Sequence, residues 1–266
     1  AAPVSRGFPT EVEHDFRENP FLRNMGGVEY THFATQGDGN HFLFVGRLAS
    51  TGETTIVTHH GSRKPGALLF KRGQKAARAH LASIARGIPE KHAWLDANSP
   101  EGRDYWAALQ TLRTWTRASH AAIHDMTARE CNGRVRDRHF NEHNFVFRRG
   151  DRFLHGKGAT PAYPGYAADD TGTLLIPLNM SQPVLVVRGE DNPGALGFCP
   201  HGAGRNMSRS QHKAEFGDLL ELELAELREA GLDIRFWHGT PDPTELPSAY
   251  KNATSVRAQT ESFGLA

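Results

Sequence analysis

Four of the fifteen histidines in this 266-residue sequence lie in glycine-rich or strand-end contexts. They are His41 in GDGNHF, His59 in HHGSR, His143 in EHNFV and His201 in PHGAGR. Histidine changes charge near neutral pH, and its neutral ring is a common metal ligand. The four are too far apart in sequence to meet on one helix or turn, so any shared site must be assembled by the tertiary fold.

Three of these histidines occupy positions typical of metal ligands. His41 follows the flexible turn 37–40, His59 ends an apolar strand, and His143 begins one. Neutral imidazoles on rigid strand ends are ligands for Zn, Mn, Fe or Ni. Arg63 ends the Gly-Ser-Arg turn between the strand of His59 and the next predicted helix, and such a strand-to-helix turn suits an anion. For each histidine, a surface or packing role is the alternative.

His201 lies in a different setting, the segment PHGAGR that ends at Arg205. The small residues leave a phosphate free access, and the guanidinium of Arg205 can clamp it. A neutral imidazole there can attack phosphorus when pyrophosphate is the leaving group. The alternative is a glycine-rich turn capped by a histidine.

Composition and standard motifs exclude several classes of protein. The chain has 38% hydrophobic and 23% charged residues with a formal net charge of +1, so it is not a polycation built to coat nucleic acid. No apolar run reaches the roughly 18 residues of a membrane-spanning helix, and no membrane partner is expected. The HExxH, GxxxxGK[ST], GxSxG and CxxC motifs do not occur. Two cysteines, Cys131 and Cys199, are too few for a disulfide framework and suggest a cytoplasmic location.

Basic residues are concentrated between Arg129 and Lys157, a segment that contains eight basic and four acidic residues. This segment is either a solvated rim or a phosphate-contacting patch, because arginine forks match pairs of phosphate oxygens. Arg148 and Arg149, together with Arg63, are the candidate RNA contacts.

Short strands and three amphipathic helices must position these residues. Aromatic and β-branched runs predict strands at 41–48, 54–59, 143–148, 153–155, 184–188 and 232–237, with a hairpin turn near Gly150-Asp151. Helical spacing predicts helices over Ala67–Arg86, from Ser99-Pro100 onward, and from Ser208 or Ser210 to Gly231. Because strands and helices do not alternate regularly, the pattern favours an α+β fold.

Six segments, in order along the chain, resemble motifs of the RtcB family of GTP-dependent RNA-splicing ligases. GDGNHF is similar to GGGNHF, HHGSR to HxGSRG, EHNFV to an HNYV-type motif, GKGATPA to RKGATPA, FCPHGAGRNMSR to CHGAGR-MSR, and ELPSAYKN to EAPxAYKD. The resemblance implies one RtcB-like domain over residues 1–266, with mixed sheets and flanking helices around a central metal and nucleotide cleft. We expect this domain to be incomplete at both ends.

The resemblance also implies a reaction and a role for each matching residue. His41, His59 and His143 would bind a pair of manganese ions, and His201 would be guanylylated by GTP. Contacts to the nucleotide are implied for Asn40, Lys157, Asn179, Arg205 and Tyr250. The GMP would pass to an RNA 3′-phosphate, or to an end derived from a 2′,3′-cyclic phosphate, for attack by a 5′-hydroxyl RNA end in tRNA splicing or RNA repair. The oligomeric state is not predicted.

The sequence departs from the family pattern in places. The DxGCG motif, which supplies an Asp and a Cys ligand, is missing upstream of His41, so we expect weakened binding of the second manganese ion. His32 and Asp15 are the nearest substitutes. The family's C-terminal Lys-Gly segment is missing, and Leu43-Phe44 replaces the xE that normally follows NHF. The segment Pro177–Ser181 replaces PGSMG, which leaves the preference for guanine open.

Two other functions stay open at this point. A metal-dependent phosphodiesterase or phosphatase acting on RNA ends would use the three histidines and a metal-bound water, without a covalent nucleotide. A catalytically silent, RNA-binding relative would retain no manganese after dialysis.

Overall fold

The computed structural model describes residues 7–85, 87–167 and 170–262. Backbone contacts group the chain into two compact units, Ala1–Asp137 and Arg138–Ala266. Both combine helices with small antiparallel sheets, which confirms the predicted α+β class. The single domain expected over 1–266 stays a prediction. Within the described ranges, no helix is both long and apolar enough to cross a membrane.

The first unit is mainly helical. Its helices are α1 (Thr10–Glu18), α2 (Val28–Thr31), α3 (Arg63–Ile84) and α4 (Pro100–Glu130), with a 3-10 turn at Glu90–His92. Its strands, β1 (Phe42–Arg47) and β2 (Thr54–His59), form an antiparallel hairpin.

Helix α4 begins as the sequence predicts. Ser99 accepts a hydrogen bond from Gly102 N at 2.9 Å, and Pro100 occupies the first turn. Helix α3 begins at Arg63, four residues earlier than predicted, and its predicted last residue, Arg86, lies outside the described residues.

The core of the first unit lies between α1, α3 and α4. Trp115 is fully buried, and its Nε1 donates to Glu29 O at 2.9 Å. Phe16 of α1 and Leu69 of α3 belong to the same buried cluster. Burying a side chain of this size stabilises the fold by about 1.5–3 kcal/mol. This core fixes α4, and the β2 strand of the hairpin packs against that helix.

The described part of the second unit contains three two-stranded antiparallel sheets and short helices. The strands are β3 (Val146–Arg149), β4 (Arg152–His155), β5 (Ala159–Pro161), β6 (Thr173–Ile176), β7 (Leu185–Arg188) and β8 (Phe198–Pro200). The helices are α5 (Arg209–Phe216), α6 (Leu220–Glu229) and α7 (Ala253–Glu261). The sheets pair β3 with β4, β5 with β8, and β6 with β7.

The predicted β3–β4 hairpin is confirmed, and its turn contains Gly150, whose φ of +63° suits glycine. The strand does not begin at His143, however. Asn144 has a φ of +52°, which a regular strand cannot contain, and pairing starts at Val146.

Two further predictions are wrong. The segment 232–237 is not a strand: its alternation arises because Leu232, Ile234 and Phe236 pack against a buried cluster that includes Leu246, from an irregular segment. The third helix is divided into α5 and α6 by a 3-10 turn at Gly217–Leu219. Its predicted start is right, because Ser208 forms a capping box with Gln211.

Candidate functional site

His41 and His59 lie together at one end of the β1–β2 hairpin. Phe42 pairs with His59 in the last pair of the ladder, and His41 directly precedes Phe42. The ring centroids of His41 and His59 are 6.4 Å apart. The Nε2 of Gln36 donates to Phe42 O at 2.7 Å and to His59 O at 2.9 Å. One side chain therefore fixes the backbone beside both histidines.

Arg63 lies against His41. Its Nη1 donates to His41 Nδ1 at 3.1 Å, and its Nε is buried with no hydrogen-bond partner among the residues the structure describes. The guanidinium lies over Gly37, which has a φ of +84°. A Cβ at this position would come within 1.7 Å of Arg63 Nη1, so only glycine leaves room for the arginine. This end of the hairpin therefore combines two imidazoles with a cation that can receive an anion.

A hydrogen-bonded chain of side chains supports the strand that carries His59. Thr58 Oγ1 lies 2.6 Å from His120 Nδ1 and 2.8 Å from His124 Nε2, and His120 Nε2 lies 3.2 Å from His60 O. A carbonyl only accepts, so His120 donates from Nε2 and accepts at Nδ1 from the Thr58 hydroxyl. That hydroxyl has one proton, so His124 donates to it. These bonds link α4 to the hydroxyl of Thr58 and to the carbonyl of His60, the residues on either side of His59.

The stacked pair His60 and His120 is neutral at pH 7. Burial lowers the pKa of His60 to about 4 and that of His120 to about 2, outweighing the hydrogen bonds to backbone carbonyls, which raise each pKa. The sequence motifs assign no role to His60, and His120 and His124 lie outside them. The spacing of four between His120 and His124 on a predicted helix was the available signal.

In the second unit, His201 stacks on His143. Their ring centroids are 4.3 Å apart, and the ring planes differ by 18°. His201 directly follows β8, which pairs with β5. Asn144 N donates to Ala159 O of β5 at 3.3 Å, and Gly158 N donates to Asn144 Oδ1 at 2.6 Å. These contacts bring together two histidines that are distant in sequence.

Burial keeps His201 in its neutral form. Desolvation of the ring lowers the pKa of His201, and the positive charge of Lys157 lowers it further. Lys157 is exposed and follows β4. A neutral imidazole has the lone pair that nucleophilic attack requires.

Arg205 and Tyr250 face each other beside the buried Glu245. The guanidinium carbon of Arg205 is 5.4 Å from the centre of the Tyr250 ring, and Arg205 Nη1 donates to Thr244 O at 2.6 Å. Arg205 Nη2 is buried and makes no hydrogen bond with the described part of the chain. Tyr250 donates its hydroxyl to Glu245 Oε2 at 2.5 Å. The free donor of Arg205 fits the predicted contact to a phosphate.

Tyr250 and Asn179 line one cleft of about 400 Å³. Its other lining residues are mainly polar: Ser181, Gln182, Asn206, Pro247, Ser248, Lys251, Asn252, Ala253 and Thr254. Asn179 Oδ1 accepts from Ser181 N at 3.0 Å, which closes the loop 177–181 on itself. Two of the predicted nucleotide contacts are thus neighbours in space.

The remaining candidates differ in what their charges contact. Asn40 is exposed in the turn before His41. Arg148 is exposed over the ring of Phe153, whereas Arg149 forms a two-bond ion pair with Asp191. Because Asp191 compensates the charge of Arg149, that arginine is the weaker candidate for a phosphate contact.

The two proposed substitute ligands lie in different surroundings. Asp15 Oδ2 accepts from Thr111 at 2.7 Å, where α1 packs on α4. His32 ends α2, and burial together with the charge of Arg63 lowers its pKa. In the described ranges, no group of three or more His, Cys, Asp or Glu side chains is arranged to hold a metal ion. The joining of His41 and His59 with His143 in one ligand set stays a prediction.

Known proteins share sequence similarity with this chain over most of its length. The family model described as tRNA-splicing ligase RtcB matches residues 16–266. The chain belongs to the RtcB family. It is 26% identical to the tRNA-splicing ligase RtcB of Aeropyrum pernix, in a match covering 98% of this chain and 64% of that protein. The RNA-splicing ligases RtcB of Escherichia coli and Mycobacterium tuberculosis are 24% and 25% identical, with 93% and 86% of this chain matched.

The chain spans less than two thirds of the length of these relatives, 60–64% in the three matches. Within the RtcB match, the GDGNHF and HHGSR motifs form the end of the β1–β2 hairpin. The EHNFV, GKGATPA and PHGAGR motifs meet around the β5–β8 pair, and ELPSAYKN supplies Glu245 and Tyr250. Motifs that are separate in sequence therefore form two local sites, one in each unit.

Proposed function

We propose that this chain carries the catalytic centre of an RNA ligase that uses GTP and Mn²⁺. It would join an RNA end bearing a 3′-phosphate or 2′,3′-cyclic phosphate to an end bearing a 5′-hydroxyl. Family membership supports the reaction class. The observation that carries the proposal is the state of His201, which is held against His143 at 4.3 Å with its pKa lowered by burial.

His201 is the proposed nucleophile. Its neutral nitrogen attacks the α-phosphorus of GTP, a P–N bond forms, and the P–O bond to pyrophosphate breaks. Stacking on His143 restricts the rotation of the ring, so the lone pair keeps one direction. Arg205 lies four residues further along, and its Nη2, which has no partner in the described part of the chain, can donate to a phosphate oxygen.

The imidazoles fit a first-row divalent cation. His41 Nδ1 accepts a hydrogen bond from Arg63, so this nitrogen is unprotonated and has a lone pair. A metal ion could bind to that lone pair in place of the guanidinium. His41, His59 and His143 would hold Mn²⁺, since imidazole is a suitable ligand for such ions. When bound, the ion would neutralise charge on the triphosphate.

The later steps need a leaving group and positive charge. An RNA 3′-phosphate has no good leaving group, and transfer of GMP from His201 to that phosphate supplies one. The 5′-hydroxyl then forms the new phosphodiester bond, and GMP leaves. Arg148 is exposed, and Arg63 has a donor with no partner among the described residues, so these two arginines can contact the phosphates of the RNA ends. The exposed Lys157 would contact the nucleotide.

The polar cleft beside Tyr250 is the proposed place for the base. Its amide side chains, among them Asn179 and Asn206, both donate and accept hydrogen bonds, as a purine edge requires.

Labelling with [α-³²P]GTP and Mn²⁺ tests the proposal. The wild-type chain is expected to form a radioactive, acid-labile adduct, and His201→Ala is expected to form none. His155→Ala removes an exposed histidine at the end of β4 and serves as the matched control. Equal labelling of the His201→Ala variant would reject the nucleophile, and phosphate release from RNA ends without GTP would favour a phosphatase.

A further inference from the structure

Glu245 is a buried carboxylate that no step of the proposed reaction uses. Its side chain is 7% exposed. A buried carboxylate is costly unless charged and polar groups compensate it. Glu245 has three such groups around it, and two of them, Arg205 and Tyr250, belong to the proposed nucleotide site.

The two carboxylate oxygens of Glu245 contact different partners. Oε1 accepts from Arg209 Nε at 3.0 Å and from Nη2 at 2.8 Å, and it lies 3.7 Å from Arg205 Nη1. Oε2 accepts the hydroxyl of Tyr250 at 2.5 Å. Arg205 Nη1 also donates to Thr244 O, and Nη2 has no hydrogen-bond partner among the residues that the structure describes.

The protonation of Tyr250 is consistent with this role. Burial and the hydrogen bond to Glu245 raise the pKa of Tyr250 well above its usual range, so the phenol keeps its proton and donates it. Without the carboxylate, the ring of Tyr250 and the guanidinium of Arg205 lose a common anchor.

We propose that Glu245 is a positioning residue for nucleotide binding, because it orients Arg205 toward a phosphate and Tyr250 toward the cleft. This proposal rests on the proposed function, since it assumes that the site binds GTP. It assigns the acidic residue of the ELPSAYKN segment a task distinct from contact with the nucleotide itself.

Electrostatic repulsion alone predicts the opposite change in nucleotide affinity when Glu245 is neutralised. A carboxylate close to a triphosphate site repels the ligand, so its neutralisation would tighten binding if position did not matter. If Glu245 positions Arg205 and Tyr250, its neutralisation weakens binding instead. The direction of the change therefore separates the two explanations.

The experiment measures equilibrium binding of α,β-methylene-GTP, which cannot release pyrophosphate, by isothermal titration calorimetry on the whole chain. Glu245→Gln keeps the size of the side chain and is expected to weaken binding about tenfold, as loss of a charge-assisted contact does. Glu226→Gln removes one negative charge from the exposed face of α6 and is expected to leave the affinity unchanged. In guanylylation assays, Glu245→Gln should raise the KM for GTP more than it lowers kcat.

Two further variants show whether Glu245 acts through its partners. Tyr250→Phe removes only the hydroxyl and should weaken binding by a smaller factor. In an Arg205→Met background, the added change Glu245→Gln should have little further effect. If Glu245→Gln does not fold, the binding of α,β-methylene-GTP by Tyr250→Phe tests the proposal. Unchanged affinity of Tyr250→Phe for this analogue would overturn it.

The outcomes separate this proposal from the proposed function. If the wild-type chain does not bind the analogue, the proposed function fails and the positioning role fails with it. If the wild-type chain binds but Glu245→Gln binds equally well or more tightly, only the positioning role is overturned. An undiminished effect of Glu245→Gln in the Arg205→Met background would also overturn it.

Discussion

The imidazole rings of His60 and His120 are stacked almost parallel, with 3.6 Å between their centroids and 7° between their planes. Two neutral rings can stack in this way, whereas two cations would repel each other. Through this contact, helix α4 supports the residue next to His59, so the core of the first unit is coupled to one of the proposed metal ligands.

Replacement of His120 by alanine is expected to destabilise the first unit. The substitution removes a buried ring together with its bonds to Thr58 and to the His60 carbonyl, at a cost of about 2–4 kcal/mol in the free energy of unfolding. Urea unfolding followed by circular dichroism measures this. His14→Ala, on the exposed side of α1, is the control and should change stability by less than about 0.5 kcal/mol.

The same residue predicts a dependence of stability on pH. The pKa of His120 is about 2 in the folded chain, whereas an ordinary histidine in the unfolded chain takes a proton below about pH 6.5. The unfolded state therefore binds the additional proton, and the stabilisation that is complete above pH 6.5 is lost as the pH falls.

His120→Phe keeps a flat ring that cannot be protonated. Between about pH 6 and pH 4, the free energy of unfolding should fall less steeply in this variant than in the wild-type chain. The two slopes should differ by about 1.4 kcal/mol per pH unit, the contribution of one proton. Urea titrations at a series of pH values give both slopes. Equal slopes for the wild-type chain and the variant would contradict a neutral, buried His120.

Gly37 and Gly52 provide a matched pair of substitutions. Both have a positive φ, +84° and +72°. A Cβ at Gly37 would meet the guanidinium of Arg63, whereas a Cβ at Gly52 would have no atom of the described residues within 4 Å. Gly52→Ala should cost about 1 kcal/mol for the backbone alone, and Gly37→Ala should cost more.

Thermal unfolding of the two variants measures the difference. Adding Arg63→Ala to Gly37→Ala should recover the part of the loss that arises from the clash. Equal destabilisation by the two glycine substitutions would mean that Arg63 does not lie over Gly37.

The sequence predicted local geometry well and long-range geometry poorly. The position of His59 at a strand end follows from the apolar run before it, and the capped start of α4 follows from Ser99-Pro100. The stacking of His143 on His201 depends on the pairing of β5 with β8, and these strands of three residues are too short to show a periodicity. The contact between His60 and His120 likewise depends on packing across the first unit.

The wrong strand at 232–237 shows a related limit. Alternating apolar residues indicate that every second side chain is buried, and an extended irregular segment gives that pattern as readily as a paired strand. In the structure, Leu232, Ile234 and Phe236 pack against a buried cluster that includes Leu246, and no backbone ladder forms along the segment. The alternation therefore reflects half-buried side chains at every second position and not the hydrogen bonding of a strand.

The two cysteines should differ in reactivity toward thiol reagents. Cys199 is 1% exposed, and burial raises the pKa of its thiol to about 12, whereas Cys131 is exposed at the end of α4. The thiolate is the reactive form, so Cys199 should not react in the folded chain. A disulfide-exchange reagent should modify one thiol under native conditions and two in denaturant. Rapid modification of both in the native chain would contradict the burial of Cys199.

Gln36 should affect manganese binding without being a ligand. It donates to the backbone of Phe42 and His59, and so holds the hairpin end at which His41 and His59 lie. Residues that orient metal ligands typically change affinity by 10–100-fold when they are replaced. Titration of Mn²⁺ followed by electron paramagnetic resonance is therefore expected to give about tenfold weaker binding in Gln36→Leu and a larger loss in His59→Ala. His155→Ala should bind as the wild type does, and unchanged affinity in His59→Ala would remove this hairpin from the metal site.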